Sequence, residues 1–154
     1  MADFSTEFLF SLTAELDKPL DLGQTPQGHR QIFHATGGTF DGPKVRGAVL
    51  PGGGDWLRIR SDGAAELDVR ATLRTDEAEL IYMSYRGIIL ASSEIWDQLA
   101  SGIAVDPAAY YLRAAPMYET SSPRLTWLNQ IVAVGIGTLE PNLAAVTYRV
   151  FVVR

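Results

Sequence analysis

The chain has 154 residues, 47% of them hydrophobic, which suits one domain (residues 1–154) with its own core and excludes global disorder. It contains no cysteine, which excludes disulfides, thiolate metal sites and cysteine nucleophiles. A formal net charge of −5, with lysine only at Lys18 and Lys44, argues against a nucleic-acid partner, because phosphate binding relies on clustered cations. The opening residues from Met1 to Glu7 carry no basic region followed by an apolar run, so no signal peptide is expected. Apolar runs also fall short of the roughly 18 residues that span a bilayer. A cytoplasmic protein with no membrane partner is the expectation.

Short alternating segments separated by turn residues dominate the pattern. Phe8, Phe10, Leu12, Ala14 and Leu16 alternate with Leu9, Ser11, Thr13 and Glu15, which predicts a strand. A second strand is expected over 30–36, closed by Gly37-Gly38, and a turn over 40–43. The next strand covers 45–50 and runs into Pro51-Gly52-Gly53-Gly54-Asp55-Trp56. Three consecutive glycines demand a backbone that larger residues would forbid. They set a carboxylate and a large ring beside a main chain that a ligand could approach. A strand over 56–60 and a tight turn at Ser61-Asp62-Gly63 follow.

The clearest pair of strands spans 66–73 and 80–87. Leu67, Val69, Ala71 and Leu73 alternate with Asp68, Arg70 and Thr72, and Ile81, Met83 and Tyr85 with Tyr82, Ser84 and Arg86. Either the apolar set fills a core and the polar set faces solvent, or the polar set lines a lumen. A short helix is expected near 93–104, with Ser93 as cap and Ile95, Leu99 and Ile103 at near-helical spacing. Strands over 125–137 and 145–153 close the chain, with Gly135 and Gly137 on one face. Eight to ten strands with one short helix give a mainly β, antiparallel barrel or sandwich.

In the order Val45-Arg46-Gly47, Pro51 to Trp56, Asp62-Gly63, Leu67-Asp68-Val69-Arg70, Tyr82 to Gly87, Tyr118-Glu119 and Trp127-Leu128-Asn129, the sequence resembles domain-of-unknown-function family 3237. The resemblance covers about Phe8 to Val153. It implies a closed antiparallel β-barrel, lipocalin-like in shape, with a pocket at one end. It implies no common reaction. Ala114-Ala115-Pro116-Met117 is more apolar than the family pattern, and Asn129-Gln130 stands where Asn-Arg is common. Both departures point to a less acidic ligand.

No metal-ligand spacing, dinucleotide fingerprint or serine elbow occurs, so neither a metal nor a cofactor is expected. Asp55, Glu119 and His34 are the acid or base candidates, since a carboxylate in an apolar pocket is raised toward neutrality and imidazole titrates there anyway. Arg46 and Arg70 could steady an oxyanion. Trp56, Tyr82, Tyr85, Tyr118 and Trp127 could supply ring faces, and Asn129 completes the binding candidates. These residues point to a cofactor-independent isomerase, lyase or cyclase moving a proton on a small carbonyl-containing cyclic or aromatic metabolite. The alternative is a non-catalytic, lipocalin-like carrier or sensor. A homodimer through apolar strand faces is compatible with both.

Overall fold

A computed structural model describes residues 3–154. Its strands are β1 (Thr6–Leu16), β2 (Leu20–Thr25), β3 (Gly28–Asp41), β4 (Arg46–Val49), β5 (Gly54–Ile59), β6 (Ala65–Thr75), β7 (Leu80–Leu90), β8 (Tyr111–Glu119), β9 (Ala133–Leu139) and β10 (Ala145–Val153). One α-helix, α1 (Ser93–Ala100), and three short 3-10 segments join them.

These ten strands occupy eight positions of a closed antiparallel barrel, because two positions are each shared by two strands. The 14-residue β3 is the reason. On one side its Ala35–Asp41 half pairs with β1 and its Gly28–Ile32 end with β2. On the other side the two halves pair with β4 and β5, which both lie between β3 and β6. Pairing of β1 with β3 closes the wall that runs through β10, β9, β8, β7 and β6.

The triple glycine is the joint between β4 and β5. Gly52 adopts φ +104°, and a Cβ on Gly53 would lie 2.4 Å from the Arg70 carbonyl oxygen. The close approach read from the sequence is therefore made by the protein's own β6 backbone. Gly38 serves the same purpose further along: a Cβ there would lie 2.0 Å from the Thr13 carbonyl oxygen, so β3 continues through the glycine pair expected to end it.

Alternation settles the two faces of the central hairpin. Leu67, Val69, Ala71, Leu73, Ile81, Met83 and Tyr85 are buried inside the barrel. Asp68, Arg70, Thr72, Tyr82, Ser84 and Arg86 point outward. Thr75 is the buried polar residue at the end of β6, and its hydroxyl meets the Glu79 carboxylate at 3.0 Å.

Two expected elements are corrected. The helix is capped by Ser92, whose hydroxyl accepts from the Ile95 N–H at 3.3 Å, and it ends at Ala100. Gly102 then takes φ +79°, and the Ile103 N–H returns to the Gln98 carbonyl, a glycine C-cap that leaves Ile103 exposed. Leu99 is the helix residue that is fully buried. The expected strand over 125–137 is instead a 3-10 segment, Pro123–Gln130, followed by β9 from Ala133. Strand β8, which alternation did not reveal, contains Pro116. It is tolerated because β8 pairs with β9 only at Arg113–Ile136 and Ala114–Gly135, leaving no ladder on that side to break. Among the described residues no helix is long and apolar enough to cross a membrane.

On the inner face of β9, Gly137 sits opposite Tyr148, and a Cβ there would come within 2.5 Å of the Leu112 side chain and 2.8 Å of the Tyr148 ring. Substituting Gly137→Ala therefore overpacks the lumen. We expect a loss of about 1–3 kcal/mol in stability, read from the urea midpoint; an unchanged midpoint would contradict this packing.

Candidate functional site

The apolar inner faces leave a cavity of about 310 Å3 in one half of the barrel. Its wall is mostly aliphatic and aromatic, from Leu12 and Phe33 to Val69, Met83 and Val146. Helix α1 covers that end, with Trp96, Asp97 and Ala100 contributing to the lining. Volume and lining are of the kind that holds small organic ligands.

Into this wall β5 projects one carboxylate. Asp55 alternates with Leu57 and Ile59, stands opposite Phe33 and Val69, and is half-buried with its accessible surface on the cavity. It is the one acid on the inward faces of the barrel strands among the described residues. Its Oδ1 accepts the Asp68 backbone N–H at 3.0 Å. Burial raises its pKa to about 7; the Asp68 N–H and the more distant Arg30 oppose the rise, while the Asp68 charge adds to it.

Two phenols share the lumen. Tyr85 and Tyr148 both line the cavity, and their rings meet edge to face at 5.3 Å and 69°. Burial pushes both phenols well above their ordinary range, and the Asp55 charge adds to each. Each hydroxyl is close enough to affect the other's ionisation, and the Tyr148 oxygen is fully buried. Tyr85 was accessible to sequence reasoning as a ring donor. Tyr148, Trp96 and Asp97 were not, although the spacing of Tyr148 between Val146 and Val150 marks it as inward.

Of Asp55, Glu119 and His34, the cavity receives Asp55. Glu119 ends β8 on the outer surface opposite Tyr82, and His34 is exposed on β3, edge-on to Trp56 at 6.4 Å between ring centres. The cause is the two-residue period: His34 and Glu119 each fall one step out of phase with inward neighbours Phe33 and Tyr118. Trp56 also faces outward, with the Arg70 guanidinium 5.7 Å from its ring and Arg70 in turn 3.5 Å from Asp68. Arg46 is exposed between Asp41 and Asp76, at 3.7 and 3.3 Å. Tyr82 is exposed on β7.

Tyr118 points inward but beyond the cavity wall, packed edge-on against Phe10 at 5.9 Å, its hydroxyl unpartnered. Trp127 lies in the Pro123–Gln130 segment, 5.4 Å from the Lys44 ammonium. Asn129 is a loop clamp: its side chain accepts from the Thr120 N–H at 2.8 Å and donates to the Thr120 carbonyl at 2.9 Å. Among the described residues no group of three or more His, Asp or Glu side chains assembles as a metal site.

Residues 4–153 match the family described as Protein of unknown function (DUF3237). The chain belongs to this family. A DUF3237 relative, a UPF0311 protein of Clostridium acetobutylicum, is 36% identical over 150 residues, covering 96% of this chain and 95% of the relative. The crystal structure of a protein of unknown function from Rhodopseudomonas palustris superposes with a TM-score of 0.93 at 30% identity, over 100% of both chains. A beta-barrel like protein from Acinetobacter baumannii gives 0.86 at 38%, over 100% of this chain and 98% of that one. A structure described as an enzyme, from Penicillium herquei, gives 0.73 at 20%, over 100% and 97%, and so shares the fold.

The DUF3237 lumen has a pH signature. A carboxyl with an unfolded pKa near 3.9 and a folded pKa near 7 binds its proton more readily in the native state. The contribution of Asp55 to native stability therefore falls as pH rises from about 4 to about 7, and its penalty is complete above that. Replacing Asp55→Asn should raise stability at pH 8 by on the order of 2–4 kcal/mol and change it little at pH 4, measured by chemical denaturation. A pH-independent difference between the two proteins would refute the raised pKa.

Proposed function

We propose that this protein is a cofactor-independent enzyme of the isomerase, lyase or cyclase type, using Asp55 to move a proton on a small carbonyl-containing cyclic or aromatic compound held in the barrel. The observation that carries the reading is the one carboxylate on an inward strand face among the described residues, pushed up by burial to about 7, in a mostly apolar cavity of ligand size. At neutral pH such a group is divided between its acid and base forms, which lets it accept and return protons. The backbone N–H of Asp68 fixes one carboxyl oxygen and leaves the other for substrate. The Penicillium barrel described as an enzyme supports the fold as a host for chemistry and says nothing of the reaction here.

A carrier is the second reading, favoured by the aliphatic lining, which would hold the same ligand without a proton leaving it. The two differ in isotope exchange. In D2O, proton NMR of 1-tetralone, 2-tetralone and cyclohexanone should show enzyme-dependent loss of the α-hydrogen signal. We expect the rate to rise with pH through about 7 and to drop roughly 10²–10⁴-fold in Asp55→Asn. Calorimetric binding of these ketones without exchange would establish the carrier instead, and an undiminished rate in Asp55→Asn would remove Asp55 from the chemistry.

A further inference from the structure

The outer wall of the barrel is unevenly dressed. Over β5 and β6 it is charged and paired within itself: Glu66 meets Arg58 and Arg60, and Asp68 lies between Arg70 and Arg86. Over β7, β8 and β9 it is apolar, with Tyr82, Leu90, Tyr111, Met117, Val132 and Ile136 each 40–64% exposed. The ladders set these side chains side by side: Leu90 faces Tyr111, Ser84 faces Met117, and Ile88 and Ile136 flank Arg113. At about 150–200 Å2 for a whole large side chain, the exposed fractions leave roughly 500–600 Å2 of apolar surface. That is at the upper end for a monomer's largest patch and approaches the roughly 800 Å2 that one partner of a stable dimer buries.

Strand β8 shows what covers it. Its two-residue period is unbroken, so Tyr111, Arg113, Ala115, Met117 and Glu119 all point outward. Neither Arg113 nor Glu119 forms an ion pair among the described residues. The Arg113 guanidinium lies 4.8 Å from the Tyr111 ring and donates to the Leu112 carbonyl. A two-fold axis at Pro116 lays β8 antiparallel across the β8 of a second copy. Arg113 then stands opposite the second copy's Glu119 and Ala115 opposite the second copy's Met117, and each contact occurs twice. A groove passes over Ala115, lined by Ile88, Tyr111, Val134 and Ile136, and receives that methionine. A lipid surface matches less well, because the chain carries a net charge of −5 and β8 balances its one arginine with one glutamate.

We propose that the outer face of β7, β8 and β9 is the interface of an isologous homodimer, centred on β8, with Met117 packed between two reciprocal Arg113–Glu119 pairs. The proposal is independent of the reaction assigned to the lumen, since none of these side chains lines the cavity.

Sedimentation velocity of the full chain tests it. At about 100 µM the wild-type protein should sediment at twice the 16.8 kDa of one chain and dissociate on dilution. Met117 is 64% exposed and away from the core, and Met117→Asp should raise the dissociation constant at least tenfold. Arg113→Glu and Glu119→Arg should each weaken the dimer similarly, because each sets like charges together at both ends of the interface. Combining the two exchanges re-forms the pairs with their signs reversed, and should restore the constant to within about threefold of wild type. Recovery of that kind is specific to the two-fold pairing, and general damage to the fold does not produce it. Should Met117→Asp lower the urea midpoint, the charge-exchange series decides alone. A wild-type monomer at about 100 µM overturns the proposal, and flotation of that monomer with phosphatidylglycerol vesicles would give the face to lipid instead. A dimer indifferent to Met117→Asp, or a double exchange no better than the single ones, overturns it equally.

Discussion

A closed sheet has one inside, and the two-residue period of a strand assigns every side chain to it or to solvent. That constraint governs this protein from the core to the site. Because the apolar set of each strand faces inward, the barrel interior is water-poor, and any polar group on an inward position meets a low-dielectric surrounding. Asp55, Tyr85 and Tyr148 occupy such positions around the cavity. Their shifted proton affinities follow from burial before any neighbour is considered, and a barrel with its polar set inside would have left the same residues unperturbed.

The long β3 supplies the second constraint. A strand that outlasts each of its partners must be flanked by interrupted ones, so β1 passes its place to β2 and β4 passes its place to β5. The interruption at 50–53 makes possible the main-chain bonds between Gly52, Gly53 and Ala35, which seat the start of β5 against β3. From that fixed start, Asp55 is the first side chain to enter the lumen. The site acid is thus positioned by backbone geometry that glycine alone permits, and the carboxylate itself contributes nothing to holding the strand beyond its bond from Asp68.

Much of this was legible in the residues. The hairpin over 66–87 shows its period plainly because nearly every inward position is aliphatic, and the family resemblance named the barrel. Asp55 could be found because it adjoins the glycine run that marks the joint where β5 begins. Glu119, His34 and Arg46 were drawn in by residue type, and type carries no phase: each sits on an outward position of a strand whose inward neighbours are apolar. Strand β8 escaped notice because Ala114-Ala115-Pro116-Met117 has little β preference, and its register comes from β7 alone over most of its length. Tyr148 was passed over because, among valines, an inward tyrosine looks like packing. Its place on the cavity wall comes from closure of the barrel, which no linear pattern records.

The short contact between β8 and β9 has a mechanical meaning. Every other junction in the barrel wall is a longer ladder, whereas this one is held by two facing residue pairs, with Pro116 just beyond. Under thermal agitation a closed wall gives first where it has the fewest rungs. Main-chain pairing around the barrel is therefore unequal, and sparsest along this one line. Gly135, half of one of those two pairs, also floors the Tyr148 ring, so the sparsest seam of the wall lies directly behind the lining of the lumen.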